Sequence, residues 1–244
     1  MMKYLHAEWP APSNIHALTT TRAGGISVPP YDSFNLGKHC GDNLESAEEN
    51  RQTLVDQLNL PSHPLWLNQV HDNQVIHSRN HNSQIKADGC YTDSTQHVCA
   101  VLTADCLPIF ICNKDGTEAA VLHGGWRSLA KGIIAQGVKQ FKSPAKDLLV
   151  WLGPAIGPST FQVGKEVRTV FQTYHSQTVQ AFTYQPDEKR FLCDIYKLAK
   201  IYLNTLGITE IYGGNHCTYS QNDLLFSYRK NKKTGRMASL IWMD

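Results

Sequence analysis

The sequence predicts a mixed α/β or α+β fold: one domain with a large mixed β-sheet core flanked by helices. Short apolar runs bounded by turn residues alternate with two amphipathic helices. Two stretches, 98–112 and 118–122, are almost continuously apolar, as in strands covered on both faces. Apolar residues make up 41% of the 244 residues and charged residues 18%, enough for a substantial core and unlike the composition of disordered chains. No internal repeat, low-complexity tract or Pro/Gly/Ser linker divides the chain, so 1–244 reads as a single domain.

Residues 16–22 are rich in β-formers and stop at Gly24-Gly25, which predicts a strand running into a loop. Residues 46–60 read as a helix, with Ser46 as N-cap, Glu49 three residues on, and Pro61 closing it. Leu65–Val70, Gln74–His77, Val98–Thr103, Pro108–Cys112 and Glu118–His123 read as short strands. Residues 126–142 carry Leu129, Ile133, Ile134, Val138 and Phe141 at helical spacing. Residues 194–206 do the same with Ile195, Leu198, Ala199, Tyr202 and Leu206. Leu148–Leu152 reads as a strand ending at Gly153-Pro154. Glu210–Tyr212, Leu224–Tyr228 and Ala238–Trp242 read as late strands.

Composition also narrows the function. A net charge of +2 lacks the dense basic face of a nucleic-acid binder. The local basic run Arg229, Lys230, Lys232, Lys233 and Arg236 reads as a solvated hairpin turn. The N-terminus has no apolar signal core, and no run of about 18 apolar residues suggests a membrane span. A cytoplasmic protein is the expectation. The seven cysteines are odd in number and form no CxxC, which argues against a disulfide scaffold or zinc ribbon and for free thiols in a reducing compartment.

Three places break the pattern of ordinary core. Leu67–Asp72 is strand-like and ends in His71 beside turn residues. Thr103–Pro108 interrupts an apolar strand with Asp105 and Cys106. Val121–Arg127 ends a strand in His123, after which Gly124-Gly125 permits a tight turn into a helix. Each places a soft or borderline metal ligand at a strand end, where site residues are commonly displayed. Two imidazoles and a thiolate suit Zn²⁺, and three protein ligands leave the fourth tetrahedral position open, the hallmark of a catalytic zinc. Taken singly, each is ordinary: a strand-end histidine is more often structural, and a cysteine in an apolar strand is more often core. Asp105 is harder to dismiss, because an unpaired carboxylate beside such a strand is costly to bury. In an extended chain Asp105 and Cys106 point to opposite faces, so both enter one site only if the strand has ended. The same residues also permit a metal-free cysteine hydrolase, with Cys106 as nucleophile, His123 or His71 as base, and Asp105 or Asp88 as orienter. Arg22, Arg127 at a helix start, and Ser227-Tyr228-Arg229 are the candidate anion-binding residues.

In this light the chain resembles the YfiH-like family, whose members are also called laccase-domain or multicopper polyphenol oxidoreductase proteins and purine nucleoside phosphorylases. The resemblance spans about residues 17–242. It rests on ordered motifs: Thr20-Thr21-Arg22 with Gly24-Gly25-Ile26-Ser27, then Tyr31–Gly37, Gly41-Asp42, Asn50-Arg51, Gln69-Val70-His71 and Ala87-Asp88-Gly89. Ala104–Pro108, His123–Arg127, Gly153–Pro158, Cys217-Thr218, Phe226–Arg229 and Thr234-Gly235-Arg236 complete the set. It implies that His71, Cys106 and His123 are metal ligands, that the metal is zinc with copper as an occupant of the same site, and that the substrates are purine nucleosides and phosphate. The implied reactions are phosphorolysis of adenosine, inosine and methylthioadenosine, and deamination of adenosine. The chain departs from the family pattern at Asp72, Gly124, Ser128, Gln162 and Lys230, none of them a ligand position.

A four-copper laccase uses His-x-His pairs, yet among the 11 histidines no two are separated by a single residue. Polyphenol oxidation is therefore expected only through a single copper in the zinc site, since copper outcompetes zinc in most nitrogen and sulfur sites. A non-catalytic binding protein is the third class, and a monomer or weak homodimer is the expected state.

Overall fold

The computed structural model describes residues 3–80 and 85–244. In chain order the strands are β1 (Tyr4–His6), β2 (Ile15–Thr20), β3 (Val75–His77), β4 (Gly89–Thr92), β5 (Cys99–Thr103), β6 (Leu107–Asn113), β7 (Ala119–Gly124), β8 (Leu148–Leu152), β9 (Gln162–Val163), β10 (Phe182–Gln185), β11 (Arg190–Cys193), β12 (Ile211–Gly213) and β13 (Met237–Met243). The α-helices are α1 (Leu44–Leu58), α2 (Trp126–Ala130), α3 (Ile133–Val138), α4 (Lys165–Tyr174) and α5 (Ile195–Thr205).

The strands form three sheets. The largest runs β12-β8-β6-β7-β4-β3 and is mixed: β12 and β8 are parallel, β3 and β4 are parallel, and the middle pairs are antiparallel. A second sheet runs β1-β2-β13-β5, all antiparallel. A small third sheet runs β10-β11-β9.

The period-2 alternation of a strand explains the continuous apolar runs. On β6, Ile109 and Ile111 share a core with Leu129 of α2, Ile133 of α3 and Leu198 of α5. The intervening Phe110 and Cys112 face the second sheet and pack with Ile15, Val101 and Ile241. Both faces of β6 are therefore dry, and apolar residues are needed at every position. The far face of the second sheet carries Leu18, Leu102 and Leu240, covered by Leu54 of α1 with Phe34 and Leu36. The layers run from α1, through the second sheet and the large sheet, to α2–α5. This is the expected α+β architecture with a large mixed sheet.

Several local expectations differ from the fold. The helix of 46–60 starts at Leu44 and is capped by Asn43, whose side chain accepts from the Ser46 backbone N–H at 2.9 Å; asparagine and serine cap equally well, so composition did not rank them. The periodic stretch 126–142 is two short helices, α2 and α3, broken at Gly132 with φ +86°. Residues 65–70 form no strand beyond isolated bridges at Leu65 and Asn68. Gln69 takes the place of a neighbouring strand there: its amide donates to the Leu102 carbonyl at 2.9 Å and accepts from the Leu102 N–H at 2.7 Å. Residues 224–228 are turn rather than strand. Leu225 and Phe226 are fully buried, but the N–H groups of Leu224 and Leu225 turn back to the Gln221 carbonyl. The basic run that follows is accordingly not the tip of a hairpin. Strand β4, helix α4 and the small third sheet were not anticipated.

Candidate metal centre

The three suspected ligands arrive from three directions. His123 is the next-to-last residue of β7, with Pro108 of β6 opposite it. Cys106 lies in the turn where the chain leaves β5, in the second sheet, and enters β6, in the large sheet. Asp105 makes that turn in the left-handed region, at φ 93°. The strand has ended, so Asp105 and Cys106 are free to diverge. His71 stands in a loop before β3 and is itself left-handed, at φ 58°.

Their ligand atoms converge. One nitrogen of His71, one of His123 and the Cys106 sulfur all lie within 4.8 Å of one another, and this is the one such group able to hold a metal ion among the described residues. The two imidazole rings are 4.8 Å apart and nearly perpendicular. Burial is graded: His123 lies in the core, Cys106 is half-buried and His71 is exposed. One side of the cluster therefore faces solvent. Gly125 forms its wall. A Cβ at 125 would sit 3.1 Å from His71 Cδ2 and 3.2 Å from Cys106 Sγ, so a glycine leaves the room that a metal and a ligand need.

Asp88 organises the cluster. Its fully buried carboxylate binds the His123 Nδ1 at 2.7 Å through Oδ1. The same carboxylate accepts three consecutive backbone N–H groups, from Val70 at 3.1 Å, His71 at 3.0 Å and Asp72 at 2.8 Å. One side chain thus fixes the ring of one suspected ligand, with Nε2 left for the cluster, and the loop of another. Sequence reasoning named Asp88 only as an alternative orienter in a hydrolase. Its signal was a carboxylate between Ala87 and Gly89 at the start of an apolar strand, with nothing to say that its partners lie 35 residues downstream and 16–18 upstream.

The charges follow from this packing. Burial alone would push the Cys106 thiol up, but the charge and hydrogen bonds of His123, with those of His71, outweigh it and bring the thiol to about 6. Burial would lower His123; the Cys106 sulfur and the Asp88 carboxylate raise it to about 9. Burial raises Asp88, while the His123 hydrogen bond and the loop N–H groups hold it below the usual carboxylate range. The sulfur is thus favoured as thiolate near neutral pH, the form that binds a soft or borderline metal.

The other candidates go elsewhere. Asp105 was expected to act in catalysis, yet it is not in the cluster: its carboxylate accepts the Thr218 hydroxyl and the Arg229 backbone N–H, each at 2.6 Å. Its carbonyl accepts the Ile156 N–H at 3.0 Å. Asp105 is a brace joining three loops behind Cys106. Arg22 is occupied by the Asp32 and Asn222 carbonyls, by the Asp32 carboxylate at 3.3 Å, and by the Phe226 ring beneath it. The Arg229 guanidinium donates to the Gln162 carbonyl at 2.8 Å and lies over Phe161. Ser227 is fully buried, its hydroxyl accepting the Lys230 N–H. Arg127 is exposed and stacks on Trp126. The structure thus ties Arg22 and Ser227 into the protein frame, while Arg229 spends one nitrogen on Gln162 and lines a cavity with Ser159, Thr160 and Tyr219.

Comparison with known proteins agrees with the motifs. The family described as multi-copper polyphenol oxidoreductase laccase matches residues 16–244. The chain belongs to this family. Among its relatives, a protein of Escherichia coli named purine nucleoside phosphorylase YfiH is 47% identical over 244 residues, covering all of both chains. A Haemophilus influenzae protein named purine nucleoside phosphorylase is 45% identical, again over all of both chains. Among solved structures, that of a Neisseria meningitidis protein superposes with a TM-score of 0.94 at 42% identity, covering 99% of each chain. Three of the departures from the family pattern point their side chains elsewhere: Asp72 turns to Lys131 at 3.2 Å, Gln162 pairs with Glu188, and the Lys230 ammonium reaches the Tyr219 carbonyl. No described helix is long and apolar enough to cross a membrane.

Proposed function

We propose that this chain is a zinc-dependent purine nucleoside phosphorylase whose metal is held by His71, Cys106 and His123. The observation that carries it is the convergence of two imidazoles and a thiolate within 4.8 Å in a chain that aligns end to end with relatives named for that activity. The donor set fits zinc: three borderline or soft ligands, one of them oriented by a buried carboxylate, and a solvent-facing side for the fourth position. When bound, zinc supplies a Lewis acid and lowers the pKa of water to about 7.

In phosphorolysis a phosphate oxygen bonds to ribose C1′ as the bond from C1′ to purine N9 breaks. The electron pair leaves with the base, which takes up a proton; the products are the free purine and ribose 1-phosphate. The protein's part is to align the two substrates and keep the cluster rigid. Asp88 does the second through His123 and the 70–72 loop, and Asp105 braces the turn that presents Cys106. Adenosine deamination uses the same site in our reading, water replacing the purine 6-amino group. Copper in the same three ligands would give a single-copper polyphenol oxidase, where the family description reads multi-copper. We also place the protein in the cytoplasm, as one domain over 1–244 and a monomer or weak homodimer.

One observation favours a second reading. Cys106, His123 and Asp88 are ordered as nucleophile, base and orienter, as in a cysteine hydrolase. His71 argues for the metal, because a hydrolytic triad has no use for a second imidazole on the same sulfur. Elemental analysis beside the activity assay separates them. Purified protein is expected to carry about one zinc per chain and to release hypoxanthine from inosine only with phosphate present, and Cys106→Ala to lose both with its circular dichroism unchanged. Activity in chelator-stripped protein that iodoacetamide then abolishes would establish the hydrolase instead.

A further inference from the structure

A cavity of about 500 Å³ opens beside α1, lined among others by Lys38, His39, Glu48, Arg51, His63 and Trp66, with Asn68 and Leu102 toward the metal-centre loops. Its cations are unusual. Arg51 is half-buried, its plane over the Trp66 ring at 4.0 Å, and its Nε is tied to the Leu36 carbonyl at 2.9 Å. Its two terminal nitrogens have no hydrogen-bond partner among the described residues. Arg236, also half-buried, packs on Gly37 next to Cys40 and spends one nitrogen on the Thr234 and Gly235 carbonyls. Neither guanidinium has a carboxylate at ion-pair distance among the described residues, in contrast to Arg22 with Asp32 and Arg79 with Asp93. The one carboxylate lining the cavity, Glu48, is taken by Lys38.

His39 and Arg51 line the same cavity, as do Asn68, which precedes His71 in its loop, and Leu102, near the end of the strand that leads to Cys106. Arg51 and Arg236 meet at Leu36, whose carbonyl accepts the Arg51 Nε and whose N–H donates to the Arg236 carbonyl. A part-buried guanidinium such as Arg51, with two free nitrogens and no carboxylate at ion-pair distance among the described residues, is costly as it stands. An oxyanion removes that cost, and planar N–H donors match phosphate oxygens well.

We propose that Arg51, with His39 and Arg236, forms an oxyanion subsite that holds the phosphate co-substrate next to the metal centre. Its catalytic role rests on the phosphorolysis reading above, while binding of the oxyanion does not. Arg51 is the principal donor: Trp66 and the Leu36 carbonyl hold its plane, and the residue lines the cavity. Of the arginines singled out from sequence, Arg22 is bonded into the frame, Arg127 is exposed on Trp126, and Arg229 lines a different cavity, with Ser159, Thr160 and Tyr219.

The test uses zinc-loaded protein and two readouts. In initial-rate assays Arg51→Gln is expected to raise the KM for phosphate about tenfold to a hundredfold, the value of a lost charge-assisted hydrogen bond. The KM for inosine stays unchanged, and Arg51→Lys recovers part of the loss. In calorimetric titration with inorganic phosphate alone, wild-type protein binds and Arg51→Gln does not. Inosine 5′-monophosphate is titrated in parallel; binding of it but not of inorganic phosphate would assign the cavity to a substrate's own phosphate and overturn the co-substrate role. Should Arg51→Gln prove misfolded by melting temperature or zinc content, His39→Gln carries the same kinetic prediction. Unchanged phosphate KM and unchanged phosphate binding in folded variants overturn the subsite and leave phosphorolysis standing. If wild-type protein shows no phosphate-dependent release of base, phosphorolysis fails, and the calorimetric arm alone decides the subsite.

Discussion

Replacing Asp88 by asparagine tests the proposed organisation of the metal centre most directly. Oδ1 accepts from His123 Nδ1 at 2.7 Å and from the His71 N–H at 3.0 Å; Oδ2 accepts from the Val70 and Asp72 N–H groups at 3.1 and 2.8 Å. An amide keeps one oxygen and substitutes an NH₂ for the other. With its oxygen toward His123, the NH₂ faces two N–H donors that then have no acceptor, at about 1–3 kcal/mol for each that stays buried. In the flipped orientation, the NH₂ faces His123 and the ring loses its tether. Both orientations loosen one suspected ligand. Loss of such an outer partner typically lowers metal affinity 10- to 100-fold, roughly 1.4–2.7 kcal/mol. The assay is competition for zinc against a coloured chelator, with the melting temperature of metal-free protein recorded alongside. We expect weaker zinc binding together with a lower melting temperature. Affinity and melting temperature both equal to wild type would show that the carboxylate does not order the cluster.

Three further outcomes follow from the packing. Gly125→Ala keeps an allowed backbone but places a methyl about 3.1–3.2 Å from His71 and Cys106, so zinc affinity should fall while far-ultraviolet circular dichroism stays unchanged. Phe110→Ala, at a site fully buried between the two sheets, should cost about 3–5 kcal/mol, read from the urea midpoint with unchanged slope. Asp93 is held down to about 2 by the hydrogen bond from Lys142, with His77 and Arg79 adding to it against partial burial. A depressed folded-state value stabilises above the ordinary carboxylate pKa of about 4 and loses that contribution as pH falls toward 2. The melting temperature of Asp93→Asn should therefore lie below wild type at pH 6 and converge with it near pH 2; a gap constant across that range would contradict the assignment.

The apolar runs and the helical spacing of 194–206 specified the core because burial on both faces of β6 leaves a direct trace in composition. Leu148–Leu152 was read to the residue for the same reason. The trace fails where side chains replace backbone pairing. Leu65–Val70 looks like a strand, but Gln69 makes the bonds a strand would make. Leu224–Tyr228 is apolar because it is buried, not because it is extended. In the site, the three converging residues could be picked out together, since each is ordinary singly but three soft or borderline ligands stand at the ends of apolar runs. Their partners could not. Asp88 contacts His123 and the 70–72 loop across distances in sequence that no local pattern records, and the environments of Arg22, Arg229 and Arg51 depend on which carbonyls the fold brings near.

The position of Cys106 ties the fold to the site. β5 belongs to the second sheet and β6 to the large one, and the chain passes between them through Ala104-Asp105-Cys106. His123 is fixed to the large sheet by β7, and the His71 loop is held to the residue just before β4 by Asp88. The sulfur therefore sits where the two sheets separate, braced from behind by Asp105 through Thr218 and Arg229. A site built this way has little freedom to adjust, because moving Cys106 means moving one sheet against the other across the core that Phe110 and Val101 fill. That rigidity suits proposed chemistry that depends on holding two substrates in line at one point, and it explains why a braced aspartate outside the cluster, rather than a fourth ligand, stands next to the cysteine.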